Sequence, residues 1–200
     1  MRIPIAPASA EIEVKRSRFI AIAEPVESSE AVKALVSATR VKHPQANHVV
    51  HAAVIGKEAS QFSFSDDREP RNTAGRPVFE VLKGSGITNL LIMVVRYFGG
   101  TLLGTGGLVK AYSEAAKEVL KVLKTEELIA KTNLTLTIDY DIFEQVQKFL
   151  SEKGSLYTSD FATRITINLT IASKEVEALT SYVTNLSSGS ASIVVHPNSQ

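Results

Sequence analysis

The chain has 200 residues, 44% of them hydrophobic and 22% charged, which is typical of a globular protein with one large or two small domains. The net charge of +1 argues against a strongly basic nucleic-acid-binding surface over the whole molecule, and the absence of cysteine excludes disulfides, thiol nucleophiles and cysteine metal sites. The N-terminus lacks the apolar core of a signal peptide and no apolar run could span a bilayer, so we expect a cytoplasmic protein.

Short strands and helices are predicted to alternate through the first part of the chain. A helix capped by Ser28 or Ser29 should end just before Pro44, because proline restricts the residue that precedes it. Further helices are predicted from Pro77 to about residue 83 and from near Leu108 onward. Strands are predicted at 11–14, 19–23, 48–55 and 90–95, and the polar segment 57–75 is interpreted mostly as loop, with a short strand at 61–65 as the open alternative.

The most informative segment is an apolar strand that ends in an arginine and a glycine-rich turn. Leu90 to Val95 is an unbroken apolar run, which predicts a strand covered on both faces, and Arg96 follows it directly. Backbone N–H groups at the start of the next helix could bind an anion beside Arg96, or the glycines could serve only a tight connection and close packing. The glycines of this turn are Gly99, Gly100, Gly104, Gly106 and Gly107.

Neither common nucleotide-binding motif fits this turn. A Walker-type phosphate loop ends in Gly-Lys-Ser/Thr, whereas Thr105 and Gly106 follow Gly104 here. The dinucleotide fingerprint requires a further glycine where Val109 stands. We therefore expect neither a conventional ATPase nor a dehydrogenase, and we predict no cofactor.

The last third of the chain has the pattern of a second domain. An alternating strand at 132–138 is followed by a helix with Asp141 and Glu144 in the positions of a capping box. Two strands, a helix that Ser173 can cap and a closing strand at 190–195 complete the order β-α-β-β-α-β of the ferredoxin-like split motif. The predicted fold class is α+β, with two α/β sandwich domains at 1–128 and 129–200, the second of them ferredoxin-like.

Three acidic residues, Asp66, Asp67 and Glu69, cluster in the loop before the apolar strand. They could hold Mg²⁺ or act as acid–base groups, or they could pair with Arg96 and Arg76 and close the loop over the end of the sheet. A buried arginine without a carboxylate has a large desolvation cost. We therefore predict that one of the three lies within salt-bridge reach of Arg96 or Arg76, and we predict no metal site.

Two histidines on one predicted strand are the remaining candidates for chemistry. His48 and His51 lie three residues apart and so face opposite sides of the sheet, which argues against a shared metal ion. His48 with Asp66 or Asp67 is a weak candidate for a catalytic group, and an ordinary core or surface histidine is the alternative. No Gly-x-Ser-x-Gly elbow, His-Glu-x-x-His motif or evident triad is present, and no nucleophile is identifiable.

Several short motifs at fixed spacing surround the acidic loop and the glycine turn. They are FSDD at 64–67, EP at 69–70, TAGRP at 73–77, VRYFGG at 95–100 and LGTGGLVKAY at 103–112. Together they resemble the IMPACT/YigZ family, and the resemblance covers essentially the whole chain. Bacterial members of that family are similar to this chain in carrying a C-terminal ferredoxin-like domain. His48 matches a histidine of the family, whereas His51 does not.

The resemblance implies a role near the translation machinery. It implies an N-terminal domain similar in fold to an α/β domain of ribosomal proteins and elongation factor G, and a C-terminal domain similar to another elongation-factor-G domain. Eukaryotic members regulate translation initiation by competing for the activator of the kinase that senses uncharged tRNA. Bacteria lack that kinase, so the resemblance implies for bacterial members a nucleic-acid or translation role by another route.

We therefore predict a non-enzymatic cytoplasmic protein that contacts RNA, the ribosome or a translation factor through a glycine-rich cleft, without membrane contact. Basic and aromatic groups around the turn suit phosphate contact and base stacking. The alternatives are a metal-assisted phosphoester or small-molecule hydrolase at the same cleft and a protein-only interaction module. The predicted binding residues are Asp66, Asp67, Glu69, Arg71, Arg76, Arg96, Gly99, Gly100, Gly104, Gly106, Gly107 and Lys110.

Overall fold

The computed structural model describes residues 1–196, which divide into a unit of Met1–Leu128 and a second unit that begins at Ile129. The first unit consists of β1 (Arg2–Pro4), β2 (Ala8–Val14), β3 (Ser17–Pro25), α1 (Ser29–Lys42), β4 (His48–Ile55), β5 (Gln61–Ser65), α2 (Gly75–Gly84), β6 (Leu90–Tyr97), α3 (Gly104–Val122) and β7 (Thr125–Glu127). The second consists of β8 (Lys131–Ile138), α4 (Phe143–Glu152), β9 (Leu156–Phe161), β10 (Ile165–Ala172), α5 (Val176–Leu186) and β11 (Ser192–His196). In the described part of the chain, no helix combines the length and apolar character needed to cross a membrane.

The first unit is a three-layer sandwich around one antiparallel sheet of order β2-β3-β6-β4-β5, and β1 and β7 pair separately. The central strand β6 is buried on both faces, as its unbroken apolar run predicts. Leu91 and Met93 pack in the cluster beneath α1, whereas Ile92 and Val94 pack in the larger cluster beneath α2 and α3. Because successive strand residues alternate between faces, Arg96 projects to the α2–α3 side.

The ends of the helices test the capping predictions. The hydroxyl of Ser28 accepts a hydrogen bond from Ala31 N at 3.2 Å, so the predicted cap of α1 is confirmed. The predicted start of α3 near Leu108 is wrong, because the helix begins at Gly104. Leu108 is the first large apolar residue that α3 buries, and the periodicity could not reveal the earlier, glycine-rich turn.

The second unit has the predicted β-α-β-β-α-β order and an antiparallel sheet of order β11-β8-β10-β9. The α+β fold class is thus confirmed. Its core joins the inward residues of β8 and β10, such as Leu136 and Ile167, to apolar residues of α4 and α5.

Two local predictions for the second unit are wrong. Asp141 lies in a short 3₁₀ turn and Glu144 in the first turn of α4, and neither the 3₁₀ turn nor α4 has a side-chain capping bond at its start. Ser173 does not cap α5 either, because it lies in a 3₁₀ turn and its hydroxyl pairs with that of Thr132 at 2.7 Å. In both places the expected cap lies within the 3₁₀ turn that precedes the α-helix.

Candidate functional site

A row of three side chains crosses the end of the first sheet. Arg96 on β6 stands directly opposite His48 on β4 and Phe19 on β3, and side chains at opposed positions project from the same face. The Arg96 side chain is only 7% exposed. Its guanidinium carbon lies 5.5 Å from the ring centroid of Phe19 and 5.8 Å from that of Phe98, which places the cation between two aromatic side chains.

Glu69 supplies the carboxylate that the buried arginine requires. Arg96 Nη1 donates to Glu69 Oε1 at 2.6 Å, so the prediction of an acidic-loop carboxylate within reach of Arg96 or Arg76 is confirmed. Tyr112 of α3 also donates its hydroxyl to Glu69 Oε1, at 2.7 Å. Burial and the Glu69 charge raise the pKa of Tyr112, so its hydroxyl stays protonated at neutral pH and remains a donor.

His48 is fixed in one orientation beside this ion pair. Its Nδ1 lies 2.8 Å from the main-chain oxygen of Asp67, and because a carbonyl can only accept, Nδ1 carries the proton. His48 Nε2 lies 3.7 Å from Glu69 Oε1, a separation that becomes an ion pair only when the ring is protonated. In the neutral ring, Nε2 carries no proton, so it can only accept a hydrogen bond, and it faces the Glu69 carboxylate.

The other two acidic residues hold the loop in place. Asp66 accepts hydrogen bonds from Asn72 N, Ala74 N and Gly75 N at 2.8 to 3.1 Å, at the start of α2. Asp67 accepts from Val49 N at 2.6 Å and pairs with Arg40 of α1. These bonds account for the two carboxylates as groups that anchor the loop to the neighbouring backbone and to α1. Across residues 1–196 no group of three or more His, Cys, Asp or Glu side chains is placed to hold a metal ion.

Four of the five glycines of the turn have a structural reason to be glycine, and these reasons differ. A Cβ on Gly99 would lie 1.9 Å from the carbonyl carbon of Arg16, so the backbone approach there excludes any side chain. Gly100 and Gly104 have φ values of +83° and +73°, which favour glycine, and a Cβ on Gly107 would crowd Leu103 at 3.0 Å. Gly106 has no such reason, because its φ is ordinary and nothing lies within 4 Å of an added Cβ.

The start of α3 and the buried ion pair border one cleft of about 450 Å³. The helix has no side-chain capping bond at its N-terminus and no acidic residue in its first turn. The polar part of the lining consists of Arg96, His48, Glu69, Asn47 and Thr105, whereas the apolar part consists of Phe98, Leu102, Leu103, Leu108 and Pro70. An uncapped helix N-terminus beside a guanidinium is suited to bind an anion.

The structure does not bring every predicted binding residue to this cleft. Of the predicted binding residues, Glu69, Arg96 and Gly104 line it. Arg71 and Lys110 are exposed and lie outside its lining, as do the other four glycines of the turn. Arg76 pairs with Glu80 one helical turn later, at 3.8 Å, rather than with the acidic loop, and borders a separate shallow depression. Its place on α2 points it away from Arg96, which the loop sequence alone could not show.

Sequence reasoning missed Asn47, which fixes the main chain at Arg96 and Phe98. Its side-chain Oδ1 accepts a hydrogen bond from Phe98 N at 2.8 Å, and its main-chain N–H donates to the main-chain oxygen of Arg96 at 2.9 Å. Leu102 was also missed, although an exposed leucine between glycines is a usable signal. Asn47 gave no comparable signal, because its partners lie about fifty positions later in the chain.

Relatives of this chain match it over almost its full length. The sequence model of the Impact N-terminal domain matches residues 15–120. The Escherichia coli protein named IMPACT family member YigZ is 36% identical over 195 residues, 96% of this chain and 96% of that protein. A Haemophilus influenzae IMPACT family member is 38% identical over 182 residues, 90% of this chain and 88% of that protein. A crystal structure described as that of a hypothetical protein is 34% identical, covers 99% of this chain and 98% of its own, and superimposes with a TM-score of 0.69.

Proposed function

This chain belongs to the IMPACT family, and from that premise we propose that it is a non-enzymatic cytoplasmic binding protein that acts on translation by contacting RNA or the ribosome. One observation carries the proposal: the uncapped start of α3 shares a cleft with a buried arginine. Both features favour a bound anion, and phosphate is the anion that nucleic acids present along their whole length. The link to translation is an inference from the family resemblance.

The hydrogen bonds of the cleft support recognition rather than hydrolysis. Each of the three acidic residues already accepts bonds from protein donors, which leaves them poorly placed to activate water. Within residues 1–196, no hydroxyl group is hydrogen-bonded to His48, so the arrangement of a nucleophile with its base is absent there. The function proposed is therefore binding.

We further propose that the two domains have different roles. The domain at 1–128 is the IMPACT-type domain and carries the cleft. The domain at 129–200 resembles an elongation-factor-G domain and docks a partner. Support comes from its sheet, whose face away from α4 and α5 bears short polar side chains such as Thr135, Asn168 and Thr170.

A filter-binding assay with a single-stranded RNA of about 12 nucleotides tests the proposed function, since that length suits a small binding surface. Phosphate contacts release counterions, so the affinity should fall steeply between about 50 and 200 mM salt. Lys110→Glu places an opposing charge on the exposed side of α3 and should weaken binding. The matched control is Lys57→Glu, an exposed lysine in the β4–β5 turn, at the opposite end of the sheet from Arg96. Absence of binding at the lowest salt would contradict the proposal.

A further inference from the structure

We propose that the cleft beside α3 receives one unpaired nucleotide, with its phosphate at the first turn of the helix and its base against Phe98 and Leu102. The chemistry recognised is a phosphate ester joined to a flat ring, which a free nucleotide or an exposed nucleotide of an RNA can supply. Where the source is RNA, the inference rests on the proposed function and names the part of the RNA that enters the cleft.

The phosphate end of the cleft has more hydrogen-bond donors than the protein uses. A guanidinium has five N–H groups, and within residues 1–196 the one side-chain hydrogen bond of Arg96 runs from Nη1 to Glu69. Arg96 Nε has no partner there either, but it is sealed from solvent, so the donor that Arg96 offers to the cleft is the unbonded Nη2. The first N–H groups of α3 likewise have no side-chain acceptor. A phosphate bound between them would supply acceptors to both.

The net charge of the site permits an anion to bind. Glu69 balances Arg96, and the Tyr112 hydroxyl bonds to the same carboxylate oxygen, so the carboxylate is turned inward toward its two donors. The positive end of the α3 dipole is then left without a compensating acidic side chain.

The other end of the cleft is suited to a base. Phe98 is 46% exposed and Leu102 is 83% exposed, although both border the cleft. The ring of Phe98 covers the Arg96 guanidinium and its backbone N–H is held by Asn47. An ordered, half-exposed aromatic ring is the surface on which single-stranded bases stack. The cleft volume of about 450 Å³ lies in the range of small-molecule sites.

Of the first residues of α3, Gly104 and Thr105 line the cleft, whereas Gly106 does not. The phosphate is therefore placed beside Gly104 and Thr105, and the open space beside Gly106 has no role in the site. An unpaired nucleotide is favoured over a duplex, because a base that remains stacked in a helix cannot reach into a cleft.

Isothermal titration calorimetry on the full chain tests the inference with adenosine 5′-monophosphate, adenosine, inorganic phosphate and a short RNA in single-stranded and duplex form. The monophosphate should bind at least about tenfold more tightly than adenosine or phosphate alone, and single-stranded RNA at least about tenfold more tightly than its duplex. Thr105→Glu should weaken the monophosphate about tenfold or more without lowering the melting temperature, since an acidic residue in the first turn favours the helix. Gly106→Ala, in the same turn but outside the cleft lining, is the matched control and should leave binding unchanged.

The outcomes separate this inference from the proposed function. If RNA binds but the monophosphate does not, and Thr105→Glu leaves RNA binding unchanged, the nucleotide cleft is wrong while the proposed function stands. If the monophosphate binds with the expected variant pattern and RNA does not, the cleft is a free-nucleotide site and the proposed function is wrong. If none of the probes binds, both are contradicted.

Discussion

The two units of the chain bury different kinds of side chains. In the first unit, Arg96 and Glu69 are buried together, and Tyr112 donates a hydrogen bond to the same oxygen of Glu69. In the second unit, every buried residue that the structure describes is apolar. A buried ion pair costs desolvation that an apolar core avoids. Its position beside an open cleft therefore agrees with the recognition proposed for the first unit, and it does not make that unit the more stably packed one.

The polar pairs of the second unit lie where water can replace them. Thr135 donates to Asn168 and Thr170 donates to Asn133 across the exposed sheet face, each at 2.7 Å. An exposed hydrogen bond contributes little net stability, because water offers an alternative partner on both sides. Removing a buried charged side chain should therefore be costly in the first unit, whereas removing an exposed polar or charged side chain should be nearly neutral in the second.

The largest effect is expected from Glu69→Ala. The variant leaves the Arg96 guanidinium buried without its carboxylate and the Tyr112 hydroxyl without its acceptor, at a cost of about 3–5 kcal/mol in the free energy of unfolding. Urea unfolding, followed through the amide signals of each unit, measures the loss and should confine it to the first unit. Glu69→Gln keeps an acceptor for Tyr112 and should recover part of the stability. An Ala variant as stable as the parent would refute the view that this ion pair is structurally required.

Two substitutions within the same glycine turn should change the stability of the fold in opposite directions. Gly99→Ala drives a Cβ into the carbonyl of Arg16 and should cost about 1–3 kcal/mol from overpacking. Gly106→Ala meets open space and should raise helix stability by up to about 1 kcal/mol. Thermal unfolding of both variants under identical conditions makes the comparison. Equal destabilisation by the two would show that Gly106 has a structural role that the contacts do not reveal.

A smaller effect is expected for the ion pair of the second unit. Arg164 bonds both oxygens of Asp139, but the Asp139 side chain is half exposed and the arginine a third exposed. Exposed pairs typically contribute about 0–1 kcal/mol, so Arg164→Ala should change the free energy of unfolding by no more than this. Urea unfolding of the parent and of Arg164→Ala, at low and at high salt, measures this change in the free energy of unfolding. A loss as large as that for Glu69→Ala would remove the distinction between the two units.

The sequence predicts the features that depend on local patterns. The apolar run of β6, the cap at Ser28 and the alternation of β8 are properties of neighbouring residues, and all three are found. The choice of Glu69 over Asp66 and Asp67 as the partner of Arg96 is not such a property. It depends on the register that places Arg96 beside His48 and on the loop bonds of Asp66 and Asp67. The sequence predicts that Arg96 has a carboxylate partner in the acidic loop, but only the fold decides which of the three residues it is.

The same limit applies to the cleft. Arg71, Arg76 and Lys110 are near the glycine turn in sequence or motif, yet they do not line the cleft, whereas Asn47 and Leu102 do. Chain proximity is a poor guide where a helix start, a strand end and a loop meet from three parts of the sequence. Side chains on one helix also diverge around its axis, so Lys110 and Leu108 on α3 have different surroundings.

The smallest effect is a pH dependence that also distinguishes the units. Burial lowers the pKa of His51, although the charge of Asp67 opposes the shift. The unfolded chain binds a proton near the ordinary histidine pKa of about 6.5, whereas the folded chain resists it, so this residue makes the protein less stable as the pH falls below that value. His51→Gln should therefore lose less stability than the parent between neutral and mildly acidic pH, as measured by the melting temperature. The exposed His196 of the second unit is the matched control through His196→Gln, and parallel curves for the parent and His51→Gln would show that burial of His51 has no energetic consequence for folding.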